Sequence, residues 1–103
     1  MSERIIYDFE WDVGKAVNNM AKHGVHFDQA ATVFLDPLAL TVFDETHSEH
    51  EDRWFTLGLD AAGILIAVSH TYHATGSTNA RVRVISARVA TRRERRFYEE
   101  KPR

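Results

Sequence analysis

Residues 53–70 read RWFTLGLDAAGILIAVSH, and this stretch decides the fold. Two runs rich in β-branched, aromatic and aliphatic residues, Arg53–Leu59 and Ile64–His70, flank Asp60-Ala61-Ala62-Gly63. Two such runs separated by a short turn that contains Gly are typical of a β-hairpin. The sequence therefore predicts two antiparallel strands joined at residues 60–63.

The same composition recurs on both sides of the hairpin. Leu38–Phe43 precedes it and Arg81–Ala87 follows it. His73–Ala80, which lies between the last two predicted strands, is rich in Gly, Ser and Thr and is expected to be a flexible loop. Consecutive strands of this kind predict an antiparallel meander.

Helical patterns lie towards the two ends of the chain. A predicted strand over Ile5–Trp11 leads to Asp12, a capping residue, and then to apolar residues at three- and four-residue spacing until Gly24. A second short apolar stripe ends at Pro37, and Thr91-Arg92-Arg93-Glu94 is a capping box that predicts a C-terminal helix.

The expected element order is therefore β-α-α-β-β-β-β-α. This order indicates an α+β fold in which an antiparallel sheet is covered by helices that are available to one of its faces. At 103 residues the chain is long enough for a single core, so we expect one domain, residues 1–103.

Composition narrows the class of protein. The chain contains no Cys, so it has neither disulfides nor a Cys-based zinc site, which suits a reducing compartment. It has no apolar run long enough to span a bilayer, and its N-terminus lacks the layout of a signal peptide. We therefore expect a soluble, cytoplasmic protein.

Charge is distributed unevenly along the chain. Residues 81–103 hold nine Lys or Arg and three acidic residues, whereas residues 1–80 hold four basic and twelve acidic residues. These local charges of +6 and −8 sum to the net charge of −2. Because Lys and Arg that neutralise phosphates release condensed counterions, the basic segment points to a polyanion, and nucleic acid is the first partner to test.

The predicted C-terminal helix has two interpretations. Arg92 and Arg93 lie in its first turn, where the helix dipole disfavours a cation by about 0.3–1 kcal/mol. They either form a solvated face, partly neutralised by Glu residues one turn away, or contact phosphate or a partner. Arg81 and Arg83 share one face of the preceding strand and Arg88 leaves its end, so the basic surface continues from sheet to helix. That continuity favours a contact.

Residues 44–53, DETHSEHEDR, concentrate carboxylates and imidazoles. Acidic loops are common on surfaces, and the spacing matches no metal motif known to us, although His and carboxylates do bind divalent ions. Alternatively, His47 or Glu51 transfers protons beside Arg53. An imidazole, whose unperturbed pKa is about 6.5, suits acid–base chemistry near neutral pH.

Two further groups of residues are ambiguous. Lys22 and His23 close the first predicted helix, where cations interact favourably with its dipole, so a structural explanation is sufficient. His70, Tyr72 and His73 lie where a strand meets a loop. That is a usual place for site residues, but it is equally a partly exposed edge.

Several blocks along the chain resemble, in order, those of BrnT-type toxins of bacterial type II toxin–antitoxin systems. The matching positions are Phe9-Glu10-Trp11-Asp12, Lys15, Asn19, Lys22-His23-Gly24-Val25, Phe27-Asp28-Gln29-Ala30 to Asp36-Pro37, His47-Ser48, Glu51, Arg53, Arg83-Val84-Ile85-Ser86-Ala87-Arg88 and Thr91-Arg92-Arg93-Glu94-Arg95 to Tyr98-Glu99. They cover almost the whole chain, and several ordered blocks are more specific than any single motif.

The resemblance implies a RelE-like ribonuclease toxin, metal-independent and without a cofactor, that cuts RNA and inhibits translation. It also implies a cognate BrnA-type antitoxin with a ribbon-helix-helix domain, which would form a hetero-oligomer with the toxin and alone contact DNA. Cleavage needs a base, an acid and cations for the charge on phosphate. The expected catalytic residues are His47, Glu51, Arg53, Arg83 and Arg88. The expected RNA-binding residues are Lys22, His23, Tyr72, Arg92 and Arg93.

Two rival functions remain open. A non-catalytic module would use the basic surface to bind nucleic acid or an acidic partner without breaking a bond. A metal-dependent hydrolase would instead use the loop of His and acidic residues.

Overall fold

A computed structural model describes residues 4–102 of the chain. Residues 1–3 and 103, which complete the predicted domain, lie outside the described residues. The elements are β1 (Ile6–Glu10), α1 (Val13–His23), α2 (Phe27–Ala31), a 3₁₀ turn (Thr32–Leu35), β2 (Leu40–Phe43), a second 3₁₀ turn (Glu45–His47), β3 (Trp54–Leu59), β4 (Leu65–His70), β5 (His73–Ala74), β6 (Asn79–Val89) and α3 (Arg92–Glu100). The predicted α+β class is confirmed, and the predicted order of elements recurs with β5 as an addition. No helix within residues 4–102 combines the length and the apolar character that crossing a membrane requires.

Within the described residues the strands form one sheet in the order β1-β6-β4-β3-β2, and the short β5 also pairs with β6. β2, β3, β4 and β6 pair in antiparallel fashion, as the predicted meander requires. β1 lies parallel to β6, which the sequence did not indicate. Both β1 and β5 pair with the start of β6, so the prediction of a flexible loop over residues 73–80 is wrong at both ends of that range.

Each face of the sheet has its own core, because successive residues of a strand point to opposite sides. Ile66 of β4 packs with Phe27 of α2 on one side. Its neighbour Leu65 faces the other side, where Tyr98 of α3 packs with Leu57. The expectation that the helices cover one face is therefore wrong. α3 lies opposite α1 and α2 because burial of Tyr98 completes the second core.

α1 begins and ends where the sequence predicts. The Asp12 carboxylate accepts a hydrogen bond from the Lys15 N–H at 2.9 Å, and Gly24 ends the helix with a left-handed φ of 69°. The apolar stripe of the helix is nevertheless largely in solvent, since Val13 and Val17 are 74% and 63% exposed. α1 therefore contacts the sheet mainly through another face.

That contact depends on Asn19, which is buried at the edge of β6. β1 pairs with β6 only as far as Arg83, so α1 takes the place of a neighbouring strand beyond that point. The Asn19 amide donates to the Ala87 carbonyl at 2.8 Å and to the Val25 carbonyl at 3.0 Å, and its oxygen accepts from the Ala87 N–H at 3.0 Å. One polar side chain thus continues the hydrogen bonding of the sheet edge.

Candidate active site

The loop of residues 44–53, between β2 and β3, is closed at its base by hydrogen bonds. The Asp44 N–H donates to the Arg53 carbonyl at 2.9 Å. The Ser48 hydroxyl donates to the Asp44 carbonyl at 2.5 Å and accepts from the Arg53 N–H at 3.0 Å. Ser48 therefore joins the two ends of the loop, which keeps His47 and Glu51 close to the start of β3.

His47 ends the 3₁₀ turn inside this loop and contacts the carboxylate that precedes the turn. Its Nδ1 lies 2.9 Å from Asp44 Oδ2. The His47 side chain is 64% exposed, whereas that of Asp44 is 21% exposed. The pocket beside the ring is lined by Thr46, His47, Glu49, His50, Glu51 and Arg53. The imidazole is thus tethered at one nitrogen while the ring faces a solvent-accessible pocket.

Glu51 connects the loop to the sheet. Its Oε1 forms an ion pair with the guanidinium of Arg83 on β6 and lies 3.9 Å from Nη2 of Arg53. The exposed fractions of the three side chains are between 33% and 40%. Two guanidinium groups and one carboxylate therefore form a half-buried cluster in which Glu51 offsets part of the positive charge.

The alternation of β6 directs Arg83 to this place. Val82 and Val84 are buried on the side of α1 and α2, so Arg81 and Arg83 project to the opposite side. The Arg83 N–H donates to the Thr71 hydroxyl at 3.2 Å, and its carbonyl accepts from the Thr71 N–H at 3.0 Å. These bonds hold the segment after β4 beside the arginine.

A second pocket adjoins the first, since Glu51 lines both. Its lining residues are Glu10, Glu51, Asp52, Thr71, Tyr72, His73, Arg81 and Arg83. Tyr72 is 38% exposed, so an aromatic ring lies beside the arginines of β6. We call the two adjoining pockets the loop–strand surface. This surface unites five of the predicted site residues, namely His47, Glu51, Arg53, Tyr72 and Arg83.

Arg88 lies further along β6, about 16 Å from Arg83 at the usual rise of a strand. Its guanidinium donates to both carboxylate oxygens of Glu94, at 2.7 and 2.9 Å, and lies 5.9 Å from the centre of the Phe55 ring. The hydrogen bond raises the pKa of Arg88 and lowers the pKa of Glu94. Arg88 therefore ties β6 to α3, and its expected catalytic role stays a prediction.

The remaining RNA-binding candidates occupy two other places. Arg92 and Arg93 are exposed in the first turn of α3, and Arg93 lines an apolar groove between α3 and β2. Lys22 and His23 lie at the end of α1, beside Ile85 of β6. Neither pair lines the loop–strand surface as it is described over residues 4–102. Their roles in RNA binding stay predictions.

The loop–strand surface offers two kinds of chemistry. Guanidinium groups bind phosphate oxygens, and an imidazole exchanges protons near neutral pH. Within the described part of the chain, no three or more His, Asp or Glu side chains are grouped so as to hold a metal ion. The arrangement therefore suits phosphate binding combined with proton transfer.

The side chains at this site that were not predicted from the sequence include Asp44, which contacts His47 beside the first pocket, and Arg81, which lines the second. Asp44 stands in an acid-rich segment, where composition gives no reason to single out one carboxylate. Its position three residues before His47 was the available signal, since that spacing allows contact across one turn. Arg81 lies two residues before Arg83 and therefore on the same face of the strand, which the sequence also indicates.

Comparisons with known proteins agree on one family. Residues 11–94 match the family model described as the ribonuclease toxin BrnT of a type II toxin–antitoxin system. The matched range is more than half of the chain and includes the 44–53 loop, β6 and the start of α3. The chain is also similar to the crystal structure of the ribonuclease toxin BrnT of Brucella abortus, with 28% identity and a TM-score of 0.53 over 88% of this chain and 100% of that one. No curated protein matches the sequence.

Proposed function

Because the chain belongs to the BrnT family of ribonuclease toxins of type II toxin–antitoxin systems, we propose that it cleaves RNA and thereby inhibits translation in the cytoplasm. A BrnA-type antitoxin with a ribbon-helix-helix domain neutralises it in a hetero-oligomer, and DNA is contacted only through that antitoxin. The single observation that supports the proposal most strongly is the ion-pair cluster of Glu51 with Arg53 and Arg83, beside His47.

The proposed reaction uses the 2′-hydroxyl of the RNA itself. A base takes the hydroxyl proton, the 2′-oxygen forms a bond to phosphorus, and the bond from phosphorus to the 5′-oxygen breaks. The products are a 2′,3′-cyclic phosphate and a 5′-hydroxyl, which receives its proton from an acid. Negative charge on the phosphate rises in the transition state, so cations held in place beforehand accelerate the step. The imidazole, carboxylate and guanidinium side chains of the loop–strand surface are of the types that these roles require, and we therefore propose a metal-independent cleavage.

Within the cluster, Arg53 and Arg83 are the proposed phosphate ligands. Glu51 holds the two guanidinium groups together before RNA binds, and a phosphate that enters the cluster competes with this carboxylate for the same donors. Glu51 is thus occupied by two cations, whereas the His47 ring faces an open pocket. Of the two candidates for proton transfer, His47 is the one that this geometry favours.

Nucleotides that flank the cleaved bond need further contacts. Tyr72 offers an exposed aromatic ring in the pocket of Arg83, and stacking of a base on such a ring contributes about 1–3 kcal/mol. We propose that phosphates further along the RNA contact Arg92 and Arg93 on α3 and Lys22 and His23 on α1. α3 is also the proposed docking surface of the antitoxin.

Purified protein, free of antitoxin, tests this function on total and ribosome-associated RNA. We expect cleavage with and without a chelator, products that end in a 2′,3′-cyclic phosphate, and strong losses in Arg83→Ala and His47→Ala. Arg4→Ala is the control, because this exposed arginine precedes β1 at the end remote from Glu10. Absence of cleavage on every substrate, with no growth arrest on expression, would overturn the proposal. Cleavage that stops in chelator and returns with a divalent ion would instead support a metal-dependent hydrolase.

A non-catalytic binding module is the second candidate. It is favoured by the ion pairs of the free protein, in which Arg83 and Arg88 already have acidic partners, as they would in a surface built to dock acidic segments. In that case Arg83→Ala weakens binding, His47→Ala has no effect, and RNA incubated with the protein stays intact.

A further inference from the structure

The Asp44 carboxylate does not make the contact that its place in the chain favours. Asp44 directly precedes the 3₁₀ turn Glu45–His47, and an Asp at the start of a helical turn commonly accepts a hydrogen bond from a backbone N–H of that turn. Within the described residues its side chain makes no such capping bond. Oδ2 lies instead 2.9 Å from His47 Nδ1. We propose that Asp44 is a positioning residue that orients the imidazole of His47 for RNA cleavage.

The contact determines which ring nitrogen of His47 is basic. An ionised carboxylate only accepts hydrogen bonds, so Nδ1 must carry the proton that faces Asp44. The neutral ring then keeps its lone pair on Nε2, which is the nitrogen left to exchange protons with a substrate. This inference rests on the proposed function, in which His47 is the proton-transfer group.

The backbone of Asp44 is fixed by the closure of the loop. Its N–H donates to the Arg53 carbonyl and its carbonyl accepts from the Ser48 hydroxyl, which also accepts from the Arg53 N–H. Asp44, which orients the imidazole, is therefore hydrogen-bonded through its backbone to Arg53, and the guanidinium of Arg53 lies 3.9 Å from Glu51. Loop closure thus sets the distance between the proposed proton-transfer group and the proposed phosphate ligands.

A second acid–imidazole pair in the same loop lacks these features. His50 Nε2 lies 4.0 Å from Glu49 Oε2, and their side chains are 96% and 83% exposed. Exposed pairs of this kind contribute little to structure. The Asp44 carboxylate is only 21% exposed and is held 2.9 Å from the ring, so its contact is better shielded from water.

The kinetic test uses Asp44→Asn, which keeps the size of the side chain and removes its charge. With short RNA as substrate, we expect kcat to fall at least about tenfold. The loss should stay below the roughly 10²–10⁴-fold expected when His47→Ala removes a proton-transfer group altogether. KM and the melting temperature should be unchanged, and Asp44→Glu should recover part of the rate. Glu45→Gln, which alters an exposed acid of the same turn, is the matched control and should cleave like the unmodified protein.

A second measurement reads the ring directly and needs no RNA. Protein with ¹⁵N-labelled histidine gives two-bond ¹H–¹⁵N correlations that distinguish the tautomers, and the His47 signals are those that vanish in His47→Ala. We expect the Nδ1–H form in the unmodified protein and in Glu45→Gln. Asp44→Asn should weaken this preference, and Asp44→Ala should abolish it.

The outcomes separate this inference from the proposed function. If Asp44→Asn and Asp44→Ala keep both the tautomer and kcat while His47→Ala loses cleavage, Asp44 has no positioning role and the proposed function stands. If the fall in kcat is fully explained by a lower melting temperature, that is, by a smaller fraction of folded protein in the assay, the carboxylate is structural and the inference is overturned. If His47→Ala cleaves normally, the proton-transfer role of His47 fails together with the role of Asp44.

Discussion

Arg88 on β6 and Glu94 on α3 are joined by two hydrogen bonds, of 2.7 and 2.9 Å, between one guanidinium and one carboxylate. Glu94 also completes a capping box, because its carboxylate accepts from the Thr91 N–H at 2.9 Å and its own N–H donates to the Thr91 hydroxyl at 3.1 Å. One acid thus fixes both the start of α3 and its link to the sheet. Any effect of Arg88 on cleavage is therefore expected to act through the placement of α3.

Substitutions of Glu94 should separate these two contacts. Glu94→Gln keeps an oxygen for the capping box and removes the charge, so the free energy of unfolding should fall by at most about 1 kcal/mol. Glu94→Ala also removes the acceptor of the Thr91 N–H, which is one of the two bonds of the capping box, and should cost up to about 1 kcal/mol more. Urea denaturation measures both changes. Glu99→Gln is the control, since its pairing with Arg95 at 3.7 Å is exposed and its loss should change stability by less than about 0.5 kcal/mol.

The pH dependence of the same variants checks the ion pair. The hydrogen bond from Arg88 holds the pKa of Glu94 below its usual range. Because the pKa is lower in the folded state, the contribution is present above the unfolded value of about 4.3 and is lost as the pH falls through the folded pKa. The stability difference between the unmodified protein and Glu94→Gln should shrink from pH 7 towards pH 3. A difference that stays constant would contradict the assignment.

His70 should make the folded protein sensitive to mild acid. It is fully buried, with Nδ1 donating to the Thr71 carbonyl at 2.8 Å and Nε2 accepting from the Thr56 hydroxyl at 2.6 Å. Burial lowers the pKa of His70, against the opposing effect of the Thr71 hydrogen bond. Below about pH 6.5 the unfolded chain binds a proton that the folded protein does not, so stability should fall by up to about 1.4 kcal/mol per pH unit.

Denaturation curves between pH 8 and pH 5 measure this slope. His70→Gln should flatten it, whereas His50→Gln should not, because the His50 side chain is 96% exposed. Equal slopes in His70→Gln and the unmodified protein would assign the effect to another group.

Arg83→Ala should reduce cleavage far more than stability. Loss of one donor to a charged transition state typically lowers kcat about 10²–10³-fold. The free energy of unfolding should change by less than about 0.5 kcal/mol, because the Arg83 side chain is 40% exposed. Arg83→Lys should recover only part of the rate, since an ammonium keeps the charge and lacks the planar fork. A collapse of thermal stability in Arg83→Ala would show that the residue is structural.

Asn19→Ala should be the most destabilising of these substitutions. It leaves the Ala87 N–H and carbonyl and the Val25 carbonyl without their side-chain partner in a buried place. Since each buried polar group left unsatisfied costs about 1–3 kcal/mol, the loss of three partners should lower the free energy of unfolding by at least about 3 kcal/mol. Asn18→Ala, an exposed neighbour on α1, is the control. A cost similar to that of Asn18→Ala would mean that α1 is held by other contacts.

Local signals explain the part of the fold that was predictable. The Asp12 cap, the left-handed Gly24 and the Thr91 capping box each act within a few residues, so the sequence alone indicates where α1 and α3 begin or end. The parallel pairing of β1 with β6 joins residues that are far apart in the chain. The spacing of residues within each strand does not indicate this pairing. The apolar stripe of α1 correctly predicted a helix, but it did not predict which face of that helix is buried. The buried face contains the polar Asn19, because the open edge of β6 needs hydrogen-bond partners.

The same distinction applies to the candidate site. The sequence indicated His47, Glu51, Arg53 and Arg83 as candidate site residues. The ion pair of Glu51 with Arg83 spans 32 positions and exists only because the sheet brings the 44–53 loop beside β6. For Arg88 the sequence indicated a basic residue at the end of a strand. That Glu94 is its partner depends on how α3 packs against the sheet, which the sequence did not indicate.

α3 carries four exposed arginines, Arg92, Arg93, Arg95 and Arg96, and we expect RNA and antitoxin to compete for this helix. An antitoxin that covers the helix would exclude phosphate by occupancy and would need no conformational change in the toxin. Both complexes should weaken as salt rises, because arginine–phosphate contacts gain free energy from released counterions and exposed charge pairs are screened.

Fluorescence anisotropy with labelled single-stranded RNA gives the measurement, in a His47→Ala background so that the RNA survives. Each phosphate contact to a single strand contributes about 0.7 to the slope of log K against log salt, so replacing Arg92 and Arg93 by Gln should lower the slope by about 1.4. Arg4→Gln should leave it unchanged. Addition of cognate antitoxin should weaken the binding of RNA, because both ligands need the guanidinium groups of α3. RNA affinity that is unchanged by antitoxin, or an unchanged slope in the double variant, would mean that RNA does not contact α3 and that this helix only covers the core around Tyr98.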